Sequence, residues 1–168
     1  EWYLSGEEPS EFNIPETIAI EGKTYRVTSI GAGAFYNCGI KSISIPKSVT
    51  SIGDHAFGRC SNLESVNISE GVTSIGDHAF YECSSLTSIT IPASVSSIGD
   101  CAFHNCRNLE SVNISEGVTD IGDYAFWWCD GLTSITIPKS VTSVREGVFS
   151  NCLNLSSITI PESVTSIG

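Results

Sequence analysis

Phe57, Phe80, Phe103, Phe126 and Phe149 lie 23 residues apart, and Cys60, Cys83, Cys106, Cys129 and Cys152 keep the same spacing. Two residue types locked to one period mark an internal repeat, and a period in the twenties is the length of one coil of a leucine-rich solenoid. A coil of this size cannot enclose its own apolar residues. Ile52, Ala56, Phe57, Cys60, Leu63, Val66, Ile68 and Val72 recur as a set, so neighbouring coils must cover one another's open ends.

Leu63-Glu-Ser-Val66-Asn-Ile68 ends in apolar/polar alternation, the period of a strand with one buried face. It recurs from Leu86, Leu109, Leu132 and Leu155, which predicts parallel pairing between coils about 4.8 Å apart. Val49-Thr50-Ser51-Ile52 also alternates and predicts a second short strand on the opposite wall. Gly53, Gly76, Gly99 and Gly122 then share one site, where a turn with positive φ is expected. Asp54, Asp77, Asp100 and Asp123 follow them and are expected to N-cap a short helical turn over the Ala-Phe-x-x-Cys segment. Val144-Arg145-Glu146-Gly147-Val148 departs from this scheme and predicts a looser turn in the last coil. Pro46, Pro92, Pro138 and Pro161 mark strand ends, because proline has no N–H for a continuing ladder; Ser69-Glu70-Gly71 and Ser115-Glu116-Gly117 take that place in the coils between.

The phrase Ile-Pro-x-Ser-Val-Thr-Ser-Ile-Gly-Asp-x-Ala-Phe-x-x-Cys-x-x-Leu-x-Ser-Ile-x-Ile resembles the BspA-type leucine-rich repeat, also called the Treponema pallidum type. The resemblance spans residues 13–168. It implies a bacterial protein, secreted or at the cell surface, that binds host extracellular proteins or neighbouring cells and is not an enzyme. The residues alone support an extended interaction surface. A stiff stalk that spaces another domain from the cell wall and has no ligand is the rival reading.

The 168 residues fit one domain, divided into an N-terminal extension and cap (1–30) and a right-handed β-rich α/β-type solenoid of about six coils (31–168), with parallel strands and short helical turns. Ile14 to Ile20, then Glu21-Gly22, then Lys23 to Val27 predicts a β-hairpin that covers the first coil. Six acidic residues crowd this end: Glu1, Glu7, Glu8, Glu11, Glu16 and Glu21. The chain starts Glu1-Trp2-Tyr3-Leu4 and has no Met, which points to a processed product or an excised fragment. It stops on Ser163 to Gly168, part-way into a new coil. Such an open parallel edge is expected to be continued by further chain or to pack end to end against another copy.

No run of 18 apolar residues is present, so no membrane insertion is expected. The net charge of −11 argues against nucleic acid and anionic lipid as partners. Cys38 and the five repeat cysteines share one repeat position after the phenylalanine; neighbours about 5 Å apart are compatible with disulfides, a ladder of buried free thiols is the preferred reading, and no Cys-x-x-Cys is present. Stacking would bring together His55, His78 and Cys101, a set with zinc-ligand chemistry; a variable outward position, held by Gly33 and Gly147 in other coils, is the preferred reading, and no metal or cofactor is expected. The Asp row lacks the carboxylate density of a calcium loop.

The position after the repeat phenylalanine runs Tyr36, Gly58, Tyr81, His104, Trp127, Ser150. Tyr81, His104 and Trp127, with Trp128 adjacent and Tyr124 in the same coil, are the candidate ligand-binding residues, since exposed Trp and Tyr anchor interfaces. Packing along the flank of the next coil is the alternative. On the strand face Ser65, Asn67, Ser88, Thr90, Ser111, Asn113 and their successors make an uncharged polar ladder. Asn67, Asn113 and Asn154 fall in Asn-x-Ser triplets, as a Ser-rich repeat produces by chance. No Gly-x-Ser-x-Gly, phosphate loop or His-Glu-x-x-His is present.

Overall fold

The computed structural model describes residues 10–168, so the readings that involve Glu1, Trp2, Tyr3, Leu4, Glu7 and Glu8 lie outside the described residues. The chain opens with β1 (Glu11–Asn13), β2 (Thr17–Ile20) and β3 (Lys23–Arg26). Short and longer strands then alternate. They are β4 (Ser29–Ile30), β5 (Ser42–Ile45), β6 (Ser51–Ile52), β7 (Ser65–Ile68), β8 (Ser74–Ile75), β9 (Ser88–Ile91) and β10 (Ser97–Ile98), followed by β11 (Ser111–Ile114), β12 (Asp120–Ile121), β13 (Ser134–Thr136), β14 (Ser143–Val144), β15 (Ser157–Thr159) and β16 (Ser166–Ile167). Two strands per coil make two parallel walls of a β-solenoid, each rung shifted by one coil.

The short strands form one wall in the order β12-β10-β8-β6-β4, with β14 and β16 paired separately. The longer strands group as β1-β5-β7, β9-β11 and β13-β15. Proline removes one ladder bond at each gap in the long wall, although Pro161 holds the same place beside β15 and leaves the β13–β15 pairing intact. Ser69 N–H donates to Ile45 O at 3.1 Å, and Ser115 N–H to Ile91 O at 3.1 Å. Pro92 and Pro138 hold the matching place in the coils that break the sheet, and neither has an N–H to donate.

Phenylalanine sets the interior. Phe57, Phe80, Phe103 and Phe126 are fully buried, and successive rings from Phe35 to Phe126 stack 5.2 Å apart within 10° of parallel. Burying each ring is worth about 1.5–3 kcal/mol. Phe12 closes the column against Phe35, at 5.6 Å between ring centroids. Ile14 beside it is buried, while all eight residues of the β2–β3 hairpin are exposed. At the other end Ile158, Ile160 and Ile167 are exposed.

The cysteines line the column. Cys83, Cys106, Cys129 and Cys152 are buried free thiols. Each donates its S–H to a phenylalanine carbonyl of the preceding coil, as Cys83 Sγ does to Phe57 O at 3.2 Å and Cys106 Sγ to Phe80 O at 3.1 Å. Burial pushes the Cys83 and Cys106 thiols well above their ordinary values.

Two expectations are overturned. No helix occurs among the described residues. The Ala-Phe-x-x-Cys segment is a run of turns held between two residues in the left-handed region, for example His55 (φ 53) and Arg59 (φ 62). A helix would satisfy its amides four residues back. Here His55, Phe57 and Arg59 donate to Asp77, Ala79 and Tyr81 of the next coil at 2.8, 2.8 and 2.6 Å, while Gly58 and Cys60 bond three residues back. The aspartates cap accordingly. Asp54 Oδ1 accepts from Asp77 N at 3.0 Å, Asp77 Oδ1 from Asp100 N at 2.8 Å, and Asp100 Oδ1 from Asp123 N at 2.8 Å. Each carboxylate ties its coil to the next instead of capping its own.

The second correction concerns Gly53, Gly76, Gly99 and Gly122. None has positive φ; among the described residues the positive-φ glycines are Gly22, Gly33, Gly71 and Gly147. Close approach explains the row. A Cβ on Gly99 would lie 2.5 Å from Asp77 Oδ1 and 2.6 Å from Asp77 N. The last coil is looser, as its sequence suggested: Phe126 and Phe149 stand 5.8 Å apart, and Glu146 N reaches Asp123 Oδ1 at 3.2 Å.

Gly99→Ala forces two coils apart and is expected to cost about 1–3 kcal/mol, the usual penalty of overpacking. Gly31→Ala, where a Cβ meets nothing within 4 Å, is the control. Thermal melts should show a clear drop for the first and little change for the second.

Candidate binding surface

The turns that join the two walls display the residues that differ from coil to coil. Residues 46–91 and 92–137 align without a gap, each a two-coil unit running from one proline to the next. Their differences gather on the turns: His55 against Cys101, Gly58 against His104, Arg59 against Asn105, His78 against Tyr124, Tyr81 against Trp127, Glu82 against Trp128.

The candidate aromatic residues do come together. Tyr81 and His104 lie 5.2 Å apart, and His104 stacks on Trp127 at 4.4 Å and 12°. Trp128 joins the group, 5.1 Å from Trp127 and 5.9 Å from His104. Tyr124 meets Trp127 at 5.4 Å. Trp128 is the most open of these, 40% exposed; Tyr81, His104, Trp127 and Tyr124 are half-buried.

Their polar atoms are largely occupied. With its amide oriented to satisfy both indoles, Asn151 accepts from Trp127 Nε1 at 3.0 Å and from Trp128 Nε1 at 3.1 Å. Tyr81 donates its hydroxyl to Glu82 at 2.7 Å, and Tyr124 donates to Glu146. Arg59 pairs with Glu82 at 3.1 Å beside the Tyr81 ring. The tryptophans therefore offer ring surface and not N–H donors, which suits a partner recognised by shape and apolar contact. Asn151 and the Arg59–Glu82 pair are parts of this surface that the repeat spacing did not single out.

Two rings rest on glycines of the following coil. A Cβ on Gly58 would lie 3.1 Å from the Tyr36 ring, and one on Gly147 would strike the Tyr124 ring at 2.3 Å.

His55 and His78 stack at 4.7 Å on the same turns. Cys101 follows in the same left-handed position, with φ of 53° in both His55 and Cys101. Among the described residues no three His, Cys, Asp or Glu side chains converge as a metal site would require. The His104 Nε2 atom is buried and has no hydrogen-bond partner. Burial holds His104 below the ordinary histidine value, and burial followed by the neighbouring His55 does the same for His78.

Similarity to known proteins agrees with this geometry. The model of the BspA-type leucine-rich repeat region matches residues 28–126 and 73–168. The chain belongs to the BspA-type leucine-rich repeat family. It is similar to the Treponema pallidum leucine-rich repeat protein, with 35% identity over 95% of this chain and 73% of that one and a TM-score of 0.87. It also resembles a leucine-rich repeat protein of Bacteroides ovatus at 32% identity and a TM-score of 0.68, covering 95% of this chain and 48% of that one. A leucine-rich cell surface protein of Faecalibacterium prausnitzii shares the fold at 23% identity and a TM-score of 0.51, over 96% of this chain and 66% of that one. No curated protein matches the sequence. Leucine-rich repeat proteins of this kind are generally protein-interaction modules. No helix among the described residues is long and apolar enough to cross a membrane.

Because His78 and His104 sit below their ordinary values, the folded chain binds fewer protons near pH 6 than the unfolded one. Stability is fully present above the unfolded histidine pKa of about 6.5 and falls as pH drops below it. Melting temperature is expected to decline by a few degrees between pH 7.5 and 5.5. The decline should shrink in a His78→Gln, His104→Gln variant when melts are compared across that range.

Proposed function

We propose that this chain is a non-enzymatic binding protein, secreted or displayed on a bacterial surface, that captures a host extracellular or cell-surface protein or a neighbouring cell. One observation carries the reading: the aromatic strip from Tyr81 to Trp128 is contiguous and lies on the turns where the two-coil units diverge. A core ring is fixed by packing, as the phenylalanines are. Residues that vary between otherwise matching coils are free to follow a partner. Tryptophan and tyrosine are the usual anchors of such contacts. The adhesive role and the surface location rest on family likeness, and end-to-end association of copies through the last coil belongs to the same proposal.

Trp128→Asn tests it. Asn already holds this left-handed position in three other coils, as Asn37, Asn105 and Asn151, so the backbone accepts it. Binding to an array of immobilised host matrix proteins should weaken at least about tenfold, as loss of an interface hot spot does, with the melting temperature unchanged. A profile that is empty for the unaltered protein, or identical for the variant, favours the stalk.

A further inference from the structure

The strand face behaves in the opposite way to the turns. Residues 63–73 and 109–119 are identical, and so are 86–92 and 132–138. The match includes the outward residues Ser65, Asn67, Ser88 and Thr90 and their counterparts, all exposed. Core identity needs no further cause, since every coil packs the same column. Exposed identity does, because surface substitutions on a folded domain are usually near neutral. A recent duplication would leave both faces alike, yet the turns have diverged.

Internal bonding does not explain it. On the opposite wall, Thr50, Thr73, Ser96 and Thr119 each donate a side-chain hydroxyl to a carbonyl of the preceding coil at 2.9–3.1 Å. Their recurrence is structural. Among the described residues, Ser65, Asn67, Ser88, Thr90, Ser111 and Asn113 make no side-chain hydrogen bond. They leave a row of hydroxyls and amides with unspent donors and acceptors, and its stretch from Ser65 to Thr90 lines a shallow open groove of about 430 Å³ that begins at Glu11.

The row has a period of its own. From Ser65 to Thr136, two Ser/Asn rungs alternate with two Ser/Thr rungs, so this stretch repeats every two coils, about 10 Å at the spacing of paired strands; Ser42/Ser44 before it and Ser157/Thr159 after it fall outside the alternation. The gaps in the long wall keep the same two-coil rhythm. No charged side chain stands on the outward positions from Ser42 to Thr159; Glu11 stands at the start of the row, and Glu64, paired with Lys41 at 3.9 Å, and Glu110 flank it. That charge pattern suits a neutral partner and repels a polyanion.

We infer that the strand face binds an extended, neutral, β-1,4-linked glycan laid along the solenoid axis. In such a chain successive sugars are flipped by about half a turn, so its hydroxyl pattern repeats every second sugar, over a length comparable with two coils. One polymer repeat then meets one Ser/Asn rung and one Ser/Thr rung. A regular ligand also explains why this face is held uniform. The inference is independent of the aromatic surface, which lies on the turns.

Calorimetry with cello- and chito-oligosaccharides of two to six units tests it. Affinity should rise with length and by larger steps for each added pair, with the single sugar silent. Asn67→Leu with Asn113→Leu, which keeps size and removes the amides, should weaken hexamer binding at least tenfold without lowering the melting temperature. Ser88→Arg, which blocks the row, should do the same, and Trp128→Asn should leave it unchanged. Absence of binding by both hexamers at millimolar concentration, together with no retention on insoluble cellulose or chitin, overturns the inference. So does equal affinity for α-linked dextran, tighter binding of hyaluronan, or loss of glycan binding through Trp128→Asn alone. Failure of these arms leaves the matrix-protein result standing, and the reverse holds too.

Discussion

Every coil leaves its backbone unfinished, and the next coil completes it. His55, Phe57 and Arg59 point their amides at carbonyls of the following turn, and Asp54 waits for the amide of Asp77. Buried amides cannot stay unpaired. The coils must therefore stack in one register, and the phenylalanine column, the thiol donors and the two parallel walls all inherit it. Side-chain packing supplies the apolar driving force; the crossed backbone bonds decide which coil meets which.

Much of this was legible in the chain. The locked Phe and Cys spacing gave the stacking, the alternating runs gave both walls, and Glu21-Gly22 gave the hairpin turn. The turns were not legible in the same way. Ala-Phe-x-x-Cys looks helical when only its own coil is considered, because the partners of its amides lie 22 residues further on, as His55 with Asp77 shows. Clues were present nonetheless. Gly33 and Gly147 share a site with His55 and Tyr124, and Asn37, Asn105 and Asn151 share one with Arg59 and Trp128; glycine and asparagine are the residues that accept left-handed backbone. The glycine row at Gly99 was read for its freedom of rotation when its lack of a Cβ was the reason.

The aromatic surface was legible as a strip but not in its bonding. Stacking at the coil period brings Tyr81, His104 and Trp127 into one line, and the sequence is enough to say so. That Asn151 would reach back and hold both indole N–H groups depends on side-chain direction at a left-handed residue, which no periodicity encodes. The outcome is a platform fixed in orientation by its neighbours, beside the Arg59–Glu82 pair. One solenoid thus carries a diversified turn surface and a uniform strand surface on the same core.

The glycine seats beneath Tyr36 and Tyr124 couple adjacent coils in heredity as well as in space. A ring in one turn and the bare backbone that receives it belong to different repeats, so an unequal crossover falling between them would deliver a large side chain onto a Cβ. Coils of this kind are then not freely interchangeable beads. Their shuffling through evolution, or by an engineer lengthening the array, must move each tyrosine together with the glycine one turn downstream.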